Sequence, residues 1–297
     1  MRNRTSSFTS TDARGDGIGK ARTRSRSVIK HVALIFLSLL LLFPLYWLLV
    51  SSFQPASSIF KTPPNFFPDP FTFENYSALV NRTNFPRWFS NSAIVAIAHV
   101  VTVVPVAAMA GYGFAKARFR WSRAGFLYVL AFMMVPMVVL VVPLYIAMLR
   151  LHWTNSYVAL VIPWAASPFA IFLMRQWIVK IPDELLDAAR VDGATELRIF
   201  LRIVCPLSMP AISTVVIIEF LWSWNNFLFP AIVQTDNSNF TLPVGLASLV
   251  TNSSAGERLY GPLTAGAVLT IIPVVVVFLV LQRRFVAGLI DSSGSKG

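Results

Sequence analysis

Glu219 is the first residue that asks for a chemical explanation. It falls in the middle of an apolar stretch, at 208–232, long enough to cross a bilayer, and an ionisable group at that depth is costly unless it has a role or a partner. Trp222 follows three residues later and Asn226 seven later, which on a helix places all three on one face, with Trp224 and Asn225 nearby. Aromatic rings stack on the apolar faces of sugars, and amides and carboxylates bind hydroxyls. The chemistry expected of Glu219, Trp222, Trp224, Asn225 and Asn226 is therefore non-covalent recognition of a hydroxylated solute moving past them. A plainer role for Glu219 is a hydrogen bond to a neighbouring helix, the role also expected of His99 in another apolar stretch.

Other chemistries lack their residues. The histidines, His31, His99 and His152, are far apart and Cys205 is the one cysteine, so neither a metal cluster nor a disulfide framework is expected. No paired acids lie at membrane depth, which argues against an intramembrane enzyme. The stretch Gly15-Asp-Gly-Ile-Gly-Lys20 has Arg14 where a phosphate loop needs its first glycine and Ala21 where it needs Ser or Thr. Any ATP-driven step would belong to a second polypeptide.

A second group of residues lies between apolar stretches, at about 178–210. Pro182 suits a helix first turn, and Asp183 and Glu184 complement the positive end of its dipole. Leu185, Leu186, Ala188 and Ala189 give an apolar, small-residue face beside Asp187, and Gly193 after Asp192 permits a left-handed stop. From Ala194 a second short helix presents Leu197, Ile199, Phe200 and Ile203 before Pro206. This predicts a helix–turn–helix with exposed apolar residues, the kind of surface another protein covers.

The elements that must position these groups follow from composition. Of 297 residues, 56% are hydrophobic and 13% charged, against about a quarter charged in soluble domains. Mean hydropathy is +0.65. Six stretches reach the roughly 20 residues a membrane helix needs: 31–52, 88–113, 124–148, 156–177, 208–232 and 263–283. Pro105, Pro136, Pro143, Pro163 and Pro168 are expected to kink spans two to four. Lysine and arginine concentrate in the N-terminal tail, the 2–3 loop, the 4–5 loop and the C-terminal end; Lys61, Arg82, Arg87, Arg150 and Arg258 are the exceptions. By the positive-inside rule both termini are cytoplasmic. The net charge of +12 thus orients the chain and does not imply nucleic acid.

Residues 1–30 are too polar to offset the entropy of ordering and are expected to be a disordered basic cytoplasmic tail. The six-helix membrane body would be 31–290, with a short cytoplasmic tail at 291–297. The first apolar run is longer than a signal-peptide core and reads as an uncleaved anchor. Two long loops, 53–87 and 233–262, are expected on the outer side, where a partner could meet them.

With these residues in view, the 178–210 loop resembles the motif of ATP-binding-cassette importer permeases: Glu-Ala-Ala, three residues, Gly, nine residues, Ile, one residue, Leu-Pro. Asp187, Ala188, Ala189, Gly193, Ile203 and Pro206 occupy its places, with Asp187 for the glutamate and Cys205 for the leucine. Phe71–Tyr76, Trp222–Phe227, Thr241–Gly245 and Gln282–Leu289 resemble the carbohydrate-uptake branch, in particular its maltose-permease-like second transmembrane subunit. The resemblance implies an all-α fold with six transmembrane helices, a type I importer permease in a bacterial inner membrane. It implies four kinds of partner: a homologous permease, two ATPase subunits that use ATP and Mg, an extracytoplasmic solute-binding lipoprotein or periplasmic protein, and a sugar substrate. Leu185, Leu186, Asp187, Ala188, Ala189, Asp192, Gly193 and Ala194 would form the coupling helix seated in an ATPase, and no cofactor would be bound by this chain. A phosphorylated polyol such as glycerol 3-phosphate stays open as the substrate, and a stand-alone secondary transporter or channel is the rival that leaves the inner helices unexplained.

Overall fold

The computed structural model describes residues 16–117, 120–251 and 259–293, with side chains described for 30–117, 120–251 and 259–282. The chain is helical in order α1 (Asp16–Ser52), α2 (Glu74–Arg82), α3 (Phe85–Lys116), α4 (Ser122–Met133), α5 (Met137–Arg150), α6 (Tyr157–Val161) and α7 (Pro168–Ile178). It continues through α8 (Asp183–Val191), α9 (Glu196–Ile199), a π-helical turn at Phe200–Val204, and α10 (Cys205–Leu207). The last elements are α11 (Met209–Asn225), α12 (Leu228–Val233), α13 (Leu242–Thr251) and α14 (Tyr260–Ser293).

Among the described residues, three helices are individually long and apolar enough to cross a membrane: α1 from Lys30, α3, and α14 to Gln282. Three bent pairs raise the total to as many as six. The pair α4 and α5 turns through 99° at Pro136; α6, with the 3-10 turn after it, meets α7 at 43° across Ser167-Pro168. The segment Glu196–Leu207 meets α11 at 77° at Ser208. Each break has a nearby proline, whose missing N–H and ring interrupt the hydrogen-bond ladder. Pro105 and Pro143 lie inside continuous helices and break nothing.

Three expectations about boundaries change. Helix α1 begins at Asp16, so residues 16–30 extend the first helix where a disordered tail was expected, because propagation from a formed helix gains one hydrogen bond per residue fixed. Residues 1–15 lie outside the described residues. Helix α14 continues to Ser293, past the expected boundary at 290; of the tail, 294–297 lie outside the described residues. The fifth stretch, expected to run through 232, ends at Asn225, and the chain turns before α12.

The centre of the bundle is the packing of α3 on α7 and α11. Gly111 makes the first contact possible: a Cβ there would lie 2.7 Å from Met174 Cβ and 2.9 Å from the Arg175 backbone nitrogen. Val103, Ala107, Ala170, Met174 and Val215 fill that seam. At the far end of α3, Trp88 packs with Phe85, Leu79, Leu242 and Leu246. Among the described residues, the apolar window of α1 has none buried, which is the expected state of a surface facing lipid or another subunit.

Candidate functional site

The end of the bundle at Lys116 carries α8 and α9 as a projecting pair. Helix α8 stops where its backbone demands a glycine: Gly193 has φ +78°, its N–H donates to Arg190 O, and the Ala194 N–H reaches back to Ala189 O. That is a Schellman stop, in which the left-handed residue satisfies two carbonyls the helix would otherwise leave free. The next helix begins at once, with Thr195 Oγ1 accepting from the Arg198 N–H as its N-cap.

Two residues of α3, one turn apart, hold this element to the bundle. Lys116 Nζ donates to Ile181 O and to Asp183 Oδ1 at 2.7 Å, tying down the start of α8. Tyr112 Oη donates to Glu196 Oε2 at 2.6 Å, tying down the start of α9. Arg190 closes the pair, donating to Asp187 Oδ1 at 2.6 Å and Glu196 Oε1 at 2.7 Å. Glu196 and then Asp187 hold the Arg190 guanidinium above its ordinary pKa. The arrangement fixes the angle between the two helices by charge-assisted hydrogen bonds on an exposed surface, where shape and not net stability is the gain.

The apolar residues of this element divide by face. Leu186, 1% exposed, lies in the core with Ile199, Phe200 and Val204, each side chain giving about 1.5–3 kcal/mol of burial that roots the element in the bundle. Leu186, expected to enter a partner's groove, and Ile199 and Phe200, expected to be exposed, are thus anchors. Helical spacing gave the stripe but not its direction. Leu185, Val191 and Leu197 point away, with Val191 88% exposed, and Asp187, Ala188, Asp192 and Gly193 share the open side. Ala189 and Ala194 are half-buried against the core.

Midway along the bundle, Glu219 of α11, 5% exposed, and His99 of α3, 1% exposed, meet at 2.9 Å between Oε2 and Nε2. The interhelical role expected of His99 is what the geometry provides, with Glu219 as its partner. The ring of His99 stacks on Trp222 at 5.0 Å between centroids, Trp222 meets Trp164 at 5.3 Å, and Trp164 meets Phe229 at 5.4 Å. His99 Nδ1 and Trp164 Nε1 are buried with no hydrogen-bond partner among the described residues.

Of the other residues expected beside Glu219, Trp224 points elsewhere. Two positions from Trp222 is about 200° around a helix, and Trp224 is buried against Phe89 and Phe220 with Nε1 donating to Thr270 O on α14. Asn225 is exposed and donates back to Leu221 O. Asn226 has left the helix, with φ −67° and ψ 121°, so the expected face of Glu219, Trp222 and Asn226 ends at Trp222. Sequence reasoning missed Trp164, Tyr112 and Lys116. The four-residue spacing of Tyr112 and Lys116 on α3 was the one available signal that both would point the same way.

An all-helical bundle with broken spans and a braced helical pair projecting from one end is the architecture of a membrane permease. Residues 103–291 match the family model described as "Binding-protein-dependent transport system inner membrane component". The chain is 40% identical over 266 residues to the arabinooligosaccharides transport system permease protein AraQ of Bacillus subtilis, covering 89% of this chain and 93% of that one. It is 35% identical to the sn-glycerol-3-phosphate transport system permease protein UgpE of Yersinia pestis, covering 91% and 98%. It is 32% identical to the diacetylchitobiose uptake system permease protein NgcG of Streptomyces coelicolor, covering 88% and 86%. A chain in the crystal structure of a bacterial ABC transporter that imports alginate superposes with a TM-score of 0.78 over 93% of this chain and 100% of that one, at 23% identity, which shows the shared fold. The protein therefore belongs to the family of inner-membrane components of binding-protein-dependent transport systems. It is the multi-pass permease component of an importer and not itself the ATPase.

Proposed function

We propose that the chain imports an oligosaccharide, beside a homologous permease, over two ATPase subunits, and fed by an extracytoplasmic solute-binding protein. The observation that carries the substrate class is the near full-length likeness to the AraQ permease, which exceeds the likeness to UgpE. The side chains midway along the bundle suit the same choice. Among the described residues, the ionisable groups buried midway along the bundle are a carboxyl and an imidazole, with half-buried Trp222 stacked on the imidazole, Trp164 edge-on to Trp222, and two polar nitrogens left for hydroxyls. A carboxyl oxygen beside the path accepts from a sugar hydroxyl. In this reading Trp222 and Trp164 stack on sugar rings while Asn225 and Asn226 meet hydroxyls, and Glu219 positions the aromatic rings through His99.

Both termini lie in the cytoplasm, and α8 with its exposed Leu185, Val191, Ala188 and Gly193 seats in an ATPase cleft, where ATP and Mg are used. Closure of the ATPases then pushes on α8, and its anchors Leu186, Ile199 and Phe200 pass the force to α3 and α7. The test is uptake by the complete complex in proteoliposomes, offered labelled arabino-oligosaccharide or glycerol 3-phosphate with the matching binding protein. ATP-dependent oligosaccharide uptake is expected. Preferential uptake of glycerol phosphate would reassign the substrate, and uptake without ATPase subunits would refute the coupled mechanism.

A further inference from the structure

The segment after α1 does not leave the bundle directly. It folds back along the helix it has just left, and side chains at the end of α1 take hold of its backbone. Tyr46 Oη donates to Phe66 O at 2.5 Å; Gln54 Nε2, almost fully buried, donates to Asn65 O at 2.9 Å and Phe67 O at 3.3 Å. Three consecutive carbonyls are thus satisfied by side chains. Pro63, Pro64 and Pro68 around them carry no N–H. Phe66 makes an edge contact with Trp47 at 6.1 Å, yet Phe66 remains 53% and Phe67 75% exposed.

The level of this contact is set by α1. Tyr46 lies six residues before Ser52, on the order of 9 Å along the axis from the helix end. Tyr46 and Trp47 are the aromatic pair that would mark the headgroup level of this span. Phe66 is therefore held beside the headgroup belt, below the helix end. Tyr46 and Gln54 pair these carbonyls within the protein, so the segment can lie against the apolar edge of the headgroup region without drawing on water. From Phe60 to Phe67 the single charge is the exposed Lys61, a cation whose long stem suits lipid phosphates. The neighbouring surface, the apolar window of α1, likewise has no buried residue among those described.

We propose that Asn65–Phe67 is a lipid anchor, clamped by Tyr46 and Gln54 so that Phe66 and Phe67 enter the headgroup region of the leaflet at this end of α1. It fixes the depth and tilt of that end of α1, independently of which solute is carried. The test uses the complete importer in proteoliposomes, with Phe67→Cys bearing a polarity-sensitive dye and the signal of the parent, labelled at Cys205, subtracted. Glu74→Cys on α2 serves as the water-facing control. Lipid spin-labelled near its headgroup is expected to quench the dye at 67 at least threefold more than the dye at 74, with iodide in the buffer doing the reverse. Iodide quenching at 67 equal to that at 74 would place the segment in water and overturn the proposal. Quenching by neither would mean that another protein chain covers it, and would overturn it equally.

Discussion

Gly193 offers the sharpest test of how the projecting helices work, because conformation and crowding at this position can be separated. A Cβ built there meets nothing within 4 Å among the described residues, so crowding within the described fold does not oppose a side chain. The cost arises from φ +78°, about 1–2 kcal/mol for an ordinary L-residue, which multiplies the share of mis-turned loop by roughly 5–30. Gly193→Ala should therefore reduce uptake and substrate-stimulated ATP hydrolysis together in the reconstituted complex, and Gly193→Val should reduce them further, since a branched Cβ tolerates positive φ least. Gly193→Asn should stay within about twofold of the parent, because asparagine enters the left-handed region readily. Gly193→Asp shares that freedom, so any loss beyond that of Asn reads the effect of charge at the contact with the ATPase. The amount inserted in the membrane should be unchanged throughout. Parental activity of the Ala and Val variants would refute the argument from the turn. Failure of Asn as complete as that of Val would show that a neighbouring chain, and not the Schellman stop, demands the glycine.

Lys116→Met should free the start of α8, removing the donor to the carbonyl of buried Ile181 at a cost of about 1–3 kcal/mol; hydrogen exchange in 183–191 should rise while exchange in the middle of α3 stays the same. His99→Ala strips Glu219 of its buried partner and should lower the thermal midpoint of the purified protein, whereas Glu219→Gln keeps a hydrogen bond and should lower it less; equal losses would mean the ring of His99 matters only for packing. Trp164→Ala should weaken uptake while leaving basal ATP hydrolysis near normal, and unaltered uptake would remove Trp164 from the path. Gly111→Val should destabilise the α3–α7 seam by about 1–3 kcal/mol or more, read as loss of folded protein on mild heating in detergent.

Much of this protein was legible in its residues. The period and length of the apolar runs set the spans, since lipid leaves the backbone no other partner. The ends of α3 came within three residues of expectation, and Gly193 was assigned to a left-handed stop from its type alone. What composition could not give is direction. Leu185 and Leu186 are neighbours of equal hydropathy, yet one faces out and the other roots the element in the core, because only the packing of α3 and α7 creates a cavity on one side. Glu219 and His99 lie 120 positions apart, and nothing local couples them; their hydrogen bond exists because α11 lies against α3. Trp222 and Trp224 differ by two residues in sequence and by half a helical turn in space, so the fold alone decided which ring stacks beside the pair and which locks against Thr270. Sequence fixes what each stretch can be, through period, propensity and desolvation. Tertiary packing decides which face each residue meets, because that depends on neighbours supplied by distant parts of the chain.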